Sequence, residues 1–169
     1  MIKQAKNLRI HGDNIIECER AVGLICEAMG EETSLRGPEG SMLCPRYAAS
    51  TPQLVVNLEL FPGFHRWDRD ILSIVRQQGG MLREAADVII TEVIEGDQER
   101  PLLAFEFCAA LPAGNQAWQR NGRGYSFASA GIPYFFLADL GGFELGKNRA
   151  RKAGRAPNPA VPFSYVRDC

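Results

Sequence analysis

Two apolar segments joined by a short polar stretch constrain this 169-residue chain more than any other feature. Residues 86–94 and 102–108 are rich in β-branched and aromatic side chains, and the stretch between them contains Gly96 and Asp97. Apolar runs of this length on either side of a glycine-containing turn are typical of a β-hairpin. The sequence therefore predicts two antiparallel strands within a sheet.

The register of this hairpin follows from its turn. If Gly96 and Asp97 are the central residues of a two-residue turn, counting outward along both strands places Asp87 opposite Glu106. Facing residues of an antiparallel pair have Cα atoms about 5 Å apart and side chains on the same face. Two carboxylates at that separation repel unless they are protonated or bridged by a cation. The register therefore predicts that these two side chains either share a proton or are bridged by a cation.

An amphipathic helix is predicted over residues 14–29, with Asp13 as its N-cap and Gly30 at its end. At 100° per residue, the apolar face contains Cys18, Ala21, Val22, Ile25 and Met29. Glu17 falls inside this apolar arc, beside Ala21, Leu24 and Ala28. An inward carboxylate is costly unless a metal or hydrogen bonds compensate it, although a glutamate at an edge can also reach solvent. Glu17 is thus a candidate metal ligand, and a solvated glutamate is the alternative.

Local patterns predict the remaining elements. Residues 37–52 carry Gly, Pro and Ser without a period and are predicted to form a loop. Strands are predicted at 54–61 and 132–140, and the second is apolar enough to be buried on both faces. Helices are predicted at 68–78 and 115–130. The expected order is helix, strand, helix, two hairpin strands, helix, strand.

Two groups of polar and basic residues are candidates for contact with nucleic acid. The helix at 115–130 carries a polar, positively charged stripe formed by Gln116, Gln119, Arg120 and Arg123. Residues 147–155 include the cationic side chains of Lys147, Arg149, Arg151 and Lys152. Such groups are usually solvated surface, and the alternative is that they contact phosphates. We expect one domain over 1–146, and a basic segment with a proline-rich linker or tail over 147–169 that could lead to a further domain of a longer protein.

Composition excludes several classes of protein. The five cysteines are odd in number and include no C-x-x-C pair, so the sequence predicts reduced thiols without a disulfide framework or zinc module. No apolar stretch approaches the roughly 20 residues of a membrane-spanning helix, and the start lacks a signal peptide. We therefore expect a cytoplasmic protein without a membrane partner. The formal net charge of −1 neither requires nor excludes nucleic acid.

The predicted elements and their acidic residues resemble the PD-(D/E)XK nuclease superfamily over about residues 13–140. Ala86-Asp87 matches the Pro-Asp that begins the second core strand of that superfamily. Glu106-Phe107-Cys108 matches the acidic-X-Lys motif of the third strand, and Glu17 matches a glutamate that many members place in the first helix. The resemblance implies an α/β, restriction-endonuclease-like fold, with a central mixed sheet of about four strands flanked by helices.

The same resemblance implies a metal-dependent endonuclease, of the restriction type, that hydrolyses the phosphodiester bonds of DNA. It implies Mg²⁺, for which Mn²⁺ can substitute, bound by the carboxylates of Glu17, Asp87 and Glu106 and by the backbone carbonyl of Phe107. Many nucleases of this kind pair two subunits to cut both strands, so a homodimer is a possible assembly.

The chain departs from the motif at Cys108, where the superfamily has a lysine that orients and activates the attacking water. Because a neutral thiol performs this task poorly, Gln116 or Gln119 from the following helix is a candidate replacement. Three alternatives remain: a catalytically inactive relative that binds nucleic acid or a partner protein, a cysteine-dependent enzyme that uses Cys108 with His11 or His65, and a small-molecule-binding α/β domain.

Overall fold

A computed structural model describes residues 4–64, 70–81, 85–108 and 115–138, with side chains described for 120–137 in the last range. Within these residues the chain forms an α/β structure of seven strands and three α-helices. The strands are β1 (Gln4–Gly12), β2 (Ser34–Ser41), β3 (Cys44–Ser50), β4 (Leu54–Pro62), β5 (Val88–Val93), β6 (Glu99–Cys108) and β7 (Tyr134–Ala138). The helices are α1 (Ile15–Met29), α2 (Ile71–Gln77) and α3 (Asn115–Ser129).

The described strands form one mixed sheet in the order β2-β3-β4-β1-β5-β6-β7. β1 lies at the centre, parallel to β4 and antiparallel to β5, whereas β6 is antiparallel to β5 and parallel to β7. As a result, β1 and β6 end, and β5 and α1 begin, at one end of the sheet. We call it the metal end, because the resemblance predicts a metal there. The expected mixed sheet is confirmed, and it contains seven described strands where a core of about four was expected.

Apolar side chains cover both faces of the sheet. On one face, α1 packs Cys18, Ala21 and Val22 against strand residues that include Ile10 and Leu58. On the other face, α2 and α3 pack against β5 and β6 through Ile71, Val75, Ile89, Ala104 and Phe127. The helices therefore flank the sheet as expected. Among the described residues, no helix is long and apolar enough to cross a lipid bilayer.

Helix α1 confirms the predicted apolar face but corrects its cap. The side chain of Asn14 accepts a hydrogen bond from the backbone N–H of Glu17 at 3.1 Å, so Asn14 is the N-cap. The prediction of Asp13 as the cap is wrong. Asp13 instead donates its backbone N–H to the carbonyl oxygen of Asp87 at 3.0 Å, and this bond extends the pairing between β1 and β5.

The β5–β6 hairpin is confirmed, but its turn is one residue longer than predicted and β6 contains a β-bulge. The loop contains three residues, Glu95–Asp97, so the predicted two-residue turn is wrong. One additional residue of β6 then forms a β-bulge, because Thr91 pairs with Pro101 whereas Ile90 pairs with Leu103. Beyond the bulge, the pairing is the one deduced from the shorter turn. The two differences cancel, and the predicted register holds at the metal end.

The N-terminal half of the sheet contains strands that the sequence patterns do not predict. β1 was not predicted, and the expected loop at 37–52 contains most of the β2–β3 hairpin. All residues of β2 are exposed, so no alternation of apolar and polar side chains marks it as a strand. β1 contains the polar residues Arg9 and His11, which are nevertheless buried, because both contact Glu99 in a hydrogen-bonded network.

The last described strand is shorter and more exposed than expected. β7 covers Tyr134–Ala138, within the predicted range of 132–140, and it pairs with β6 alone among the described strands. Phe135 is 47% exposed, so the prediction that this strand is buried on both faces is wrong.

Candidate metal centre

Three acidic side chains meet at the metal end of the sheet. Asp13, Glu17 and Asp87 each offer a carboxylate oxygen, and these oxygens lie within 4.8 Å of one another. Asp13 follows β1, Glu17 lies in the first turn of α1, and Asp87 precedes β5. Because the Asp13 N–H is bonded to the Asp87 carbonyl, the backbone holds two of the three residues side by side. We call these three residues the acidic cluster.

Glu17 carries a buried carboxylate oxygen, Oε2, without a hydrogen-bond partner among the described residues. Burial, followed by the negative charges of Asp87 and Asp13, raises the pKa of Glu17 from 4.5 to about 7. A buried, unpartnered oxygen beside two other carboxylates fits a cation ligand, since a cation would compensate both the burial and the repulsion.

Asp87 is held in place by the neighbouring strand. Its Oδ2 atom accepts the backbone N–H of Phe107 at 2.7 Å. Burial is the largest cause that raises the pKa of Asp87, and the charge of Glu106 raises it further. The bond from Phe107 and the charges of Arg123 and Arg120 oppose this rise. The carboxylate is therefore oriented by β6 and surrounded by charges of both signs.

Glu106 lies close to the acidic cluster but is bound by two arginines. Its side chain is completely buried, and it accepts hydrogen bonds from Arg120 Nε at 2.8 Å and from Arg123 Nη1 at 3.0 and 3.1 Å. Continuing the Val88–Phe105 pair by one residue places Asp87 opposite Glu106, as predicted. However, the group of carboxylates close enough to share an ion contains Asp13 and does not contain Glu106.

The predicted positively charged stripe on α3 is directed toward the site. The side chains of Arg120 and Arg123 are only 21% and 20% exposed, because both reach Glu106. Arg120 Nη1 also donates to Cys108 Sγ at 3.0 Å. The guanidinium therefore lies against Cys108, which stands where the resemblance implies a lysine. Gln116 and Gln119 belong to the same helix, but their side chains lie outside the described residues.

Other predicted site residues are placed only in part. The N–H of Phe107 is bonded to Asp87, whereas its carbonyl as a metal ligand stays a prediction. The basic residues of the C-terminal segment, Lys147, Arg149, Arg151 and Lys152, lie outside the described residues. Asp13 was missed as a site residue because it was assigned to capping. The neighbouring Asn14 caps a helix equally well, and this was the signal that the Asp13 side chain could be free for the site.

The structure offers no support for the cysteine-dependent alternative. Cys108 is buried and accepts a hydrogen bond from Arg120. His11 Nε2 lies 2.6 Å from Glu99 Oε2, and Thr91 also donates to Glu99. Because Cys108 and His11 each have another partner, the structure does not show them as a nucleophile and its base; His65 lies outside the described residues.

A cleft of about 550 Å³ lies elsewhere, over β1, β3 and β4. Polar side chains that line it are paired with one another: Arg46 bonds to Glu59, Asn57 to Asn7, and Arg9 to Glu59. A cleft whose lining groups already satisfy each other is a weak candidate for a polar ligand, since a ligand would have to replace those bonds. The acidic cluster is therefore the stronger candidate site.

No family model matches this chain, and no curated protein or solved structure matches it. A function must therefore be inferred from the geometry of the site and from the sequence motif.

Proposed function

We propose that this chain is a metal-dependent nuclease domain with a restriction-endonuclease-like fold, which hydrolyses phosphodiester bonds of DNA. The observation that carries this assignment is the acidic cluster, formed by three carboxylates from distant parts of the chain within 4.8 Å of one another. Hard carboxylate oxygens are the ligands that Mg²⁺ prefers, and Mn²⁺ accepts the same donors.

The charges around the cluster favour one divalent cation. Asp13, Glu17, Asp87 and Glu106 together carry four negative charges when ionised, and the neighbouring Arg120 and Arg123 compensate two. A bound Mg²⁺ would compensate the other two. Uncompensated charges in a partly buried site are costly, so this balance supports a cation rather than four free carboxylates.

The topology at the metal end also supports the assignment. Asp87 precedes β5, and Glu106 lies near the end of β6, which is paired antiparallel to β5. α3 follows β6, and β7 then returns parallel to it. The resemblance implies this order of elements, with two motif strands, a following helix and a further strand, and with Glu17 contributed by a helix earlier in the chain.

Each residue has a role in this proposal. Glu17, Asp87 and Asp13 would hold the ion, and Glu106 would keep two arginines at the site. When bound, Mg²⁺ supplies Lewis-acid stabilisation of phosphate charge and an acidified water. The guanidinium of Arg120 contributes positive charge where the motif has lysine. Gln116 and Gln119 remain candidates for orienting the water.

The test is cleavage of supercoiled plasmid and of single-stranded DNA with Mg²⁺, with Mn²⁺ and with EDTA. We expect cleavage only with the metals, and a loss of at least about 100-fold in Asp87→Asn and Glu17→Gln, because each removes a charged ligand. Glu19→Gln is the matched control, since Glu19 lies on the same helix and bonds to Tyr47. Cleavage that survives in Asp87→Asn would contradict the proposal.

A second candidate is an inactive domain of the same fold that binds nucleic acid or a partner protein. The double ion pair of Glu106 favours it, because Glu106 is fully buried and occupied by Arg120 and Arg123. The cysteine at the lysine position favours it as well. DNA binding without cleavage under any of the metal conditions above would select this function over catalysis.

A further inference from the structure

One cationic side chain near the metal end is held by an aromatic ring and not by a carboxylate. The guanidinium carbon of Arg20 lies 4.4 Å from the centre of the Phe107 ring, and the residue is exposed. Within the described part of the chain, no acidic side chain pairs with Arg20. Stacking on a ring restricts the guanidinium while leaving its N–H groups available to solvent.

Six of the other seven described arginines are already paired with carboxylates. Carboxylates pair with Arg9, Arg46, Arg76, Arg100, Arg120 and Arg123. Arg36 has no carboxylate partner in the described chain either, but it lies in β2, three strands away from β1. Arg20 is therefore the described arginine at the metal end whose charge is available to a ligand.

Phe107 connects Arg20 to the acidic cluster. Its backbone N–H bonds to Asp87 at 2.7 Å, and its ring carries Arg20. Along α1, Arg20 follows Glu17 by three residues and therefore lies on the adjacent turn of the same side of the helix. Ile16, four residues before Arg20, is 73% exposed, so this edge of the helix is not covered by other described residues.

We propose that Arg20, stacked on Phe107, binds a backbone phosphate of the nucleic acid next to the phosphate at the acidic cluster. This contact rests on the proposed nuclease function, since it requires a phosphodiester chain at the metal. A planar guanidinium donates two parallel hydrogen bonds to a phosphate, and Arg20 does not have to break an ion pair with a described residue in order to do so. The nucleic acid would thus approach along α1, whereas the arginines of α3 stay with Glu106.

The test is binding of a fluorescein-labelled DNA duplex, measured by anisotropy with Ca²⁺ over a series of salt concentrations. We expect Arg20→Ala to weaken binding about 10-fold and to lower the salt-dependence slope by about one, as for the loss of one phosphate contact. Phe107→Leu keeps the backbone N–H but loses the ring, and should weaken binding to a smaller extent. Arg100→Ala, at the opposite end of the sheet and paired with Glu92, is the matched control.

Two outcomes decide between the hypotheses. In the first, the wild type cleaves DNA, and Arg20→Ala binds DNA as tightly as the wild type and Arg100→Ala do. This result would overturn the phosphate contact and leave the nuclease function standing. A wild-type protein that neither binds nor cleaves DNA with any metal would overturn both. Thermal melting of Arg20→Ala at the wild-type temperature ensures that a loss of binding is not a loss of folding.

Discussion

At the residue scale, the carboxylates at the metal end have different electrostatic environments. Glu17 is shifted toward its protonated form, with a pKa of about 7, by burial and by Asp87 and Asp13. Glu106, only a strand away, is surrounded by arginines. Neighbouring carboxylates therefore have different environments, and the one without a partner for its buried oxygen depends most on pH and on added cations.

The pH dependence of the metal-free protein should show this shift. Because the pKa of Glu17 is higher in the fold than its ordinary 4.5, its contribution favours the fold most below pH 4.5 and is lost as the pH rises through about 7. After a discount for solvent screening, we expect a loss of about 1–2 kcal/mol in the free energy of unfolding. Urea unfolding in EDTA at pH 5 and pH 8 measures it. Glu17→Gln should lack this pH-dependent loss of unfolding free energy, and Glu19→Gln should retain it. An equal loss between pH 5 and pH 8 in the wild type and both variants would contradict the assignment to Glu17.

At the element scale, the connection between β1 and α1 positions two of the three acidic residues. Gly12 ends β1 and lies against Cys18 of α1, so that a Cβ built at Gly12 would be 2.5 Å from the buried Cys18 Sγ. Glycine thus allows the helix to approach the strand closely enough for Asp13 and Glu17 to face Asp87. Gly23, in the middle of the same helix, has open space around it, since a Cβ added there would meet nothing within 4 Å.

The two glycines should respond to alanine in opposite ways. Gly12→Ala should destabilise the fold by about 1–3 kcal/mol, because Cys18 must move in a packed core. Gly23→Ala should stabilise it by about 0.5–1 kcal/mol through helix propensity. The measurement is chemical denaturation of both variants. In a Cys18→Ala background, the penalty of Gly12→Ala should shrink; an unchanged penalty would show that the contact with Sγ is not its cause.

At the scale of the whole molecule, the central position of β1 joins two polar regions. At the metal end, the sheet brings together residues that are about seventy positions apart in the chain, Glu17 and Asp87. On the face opposite α1, Arg9 and His11 of the same strand bind Glu99, so β1 is tied to β6 across β5. A cation at the cluster would therefore bind the folded chain and not the unfolded chain, which scatters its ligands.

Metal binding should consequently raise the thermal stability. At a metal concentration 100 times its Kd, the folded state gains about 2.7 kcal/mol. We expect Mg²⁺ or Mn²⁺ to raise the Tm of the wild type, more strongly at pH 8 than at pH 5.5, because Glu17 must lose its proton to bind a cation. Differential scanning fluorimetry measures this, and Asp87→Asn should abolish the rise. An equal rise in wild type and Asp87→Asn would place the ion elsewhere.

Local patterns predicted helix α1 and the β5–β6 hairpin. Apolar spacing placed Glu17 inside the apolar arc of the helix, and counting outward from the turn placed Asp87 opposite Glu106. Local patterns could not reveal β2, which is exposed throughout, or β1, whose buried polar groups are compensated by partners far along the chain.

The tertiary structure decided which acidic residues share the site. Asp13 and Asn14 are equally capable of capping a helix, and only the bond between Asp13 and Asp87 across the sheet determines which of them joins the cluster. In the same way, Glu106 is distinguished from Asp87 by the arginines that α3 brings to it. Charge compensation depends on distances between separate elements, and such distances exist only once the sheet has formed.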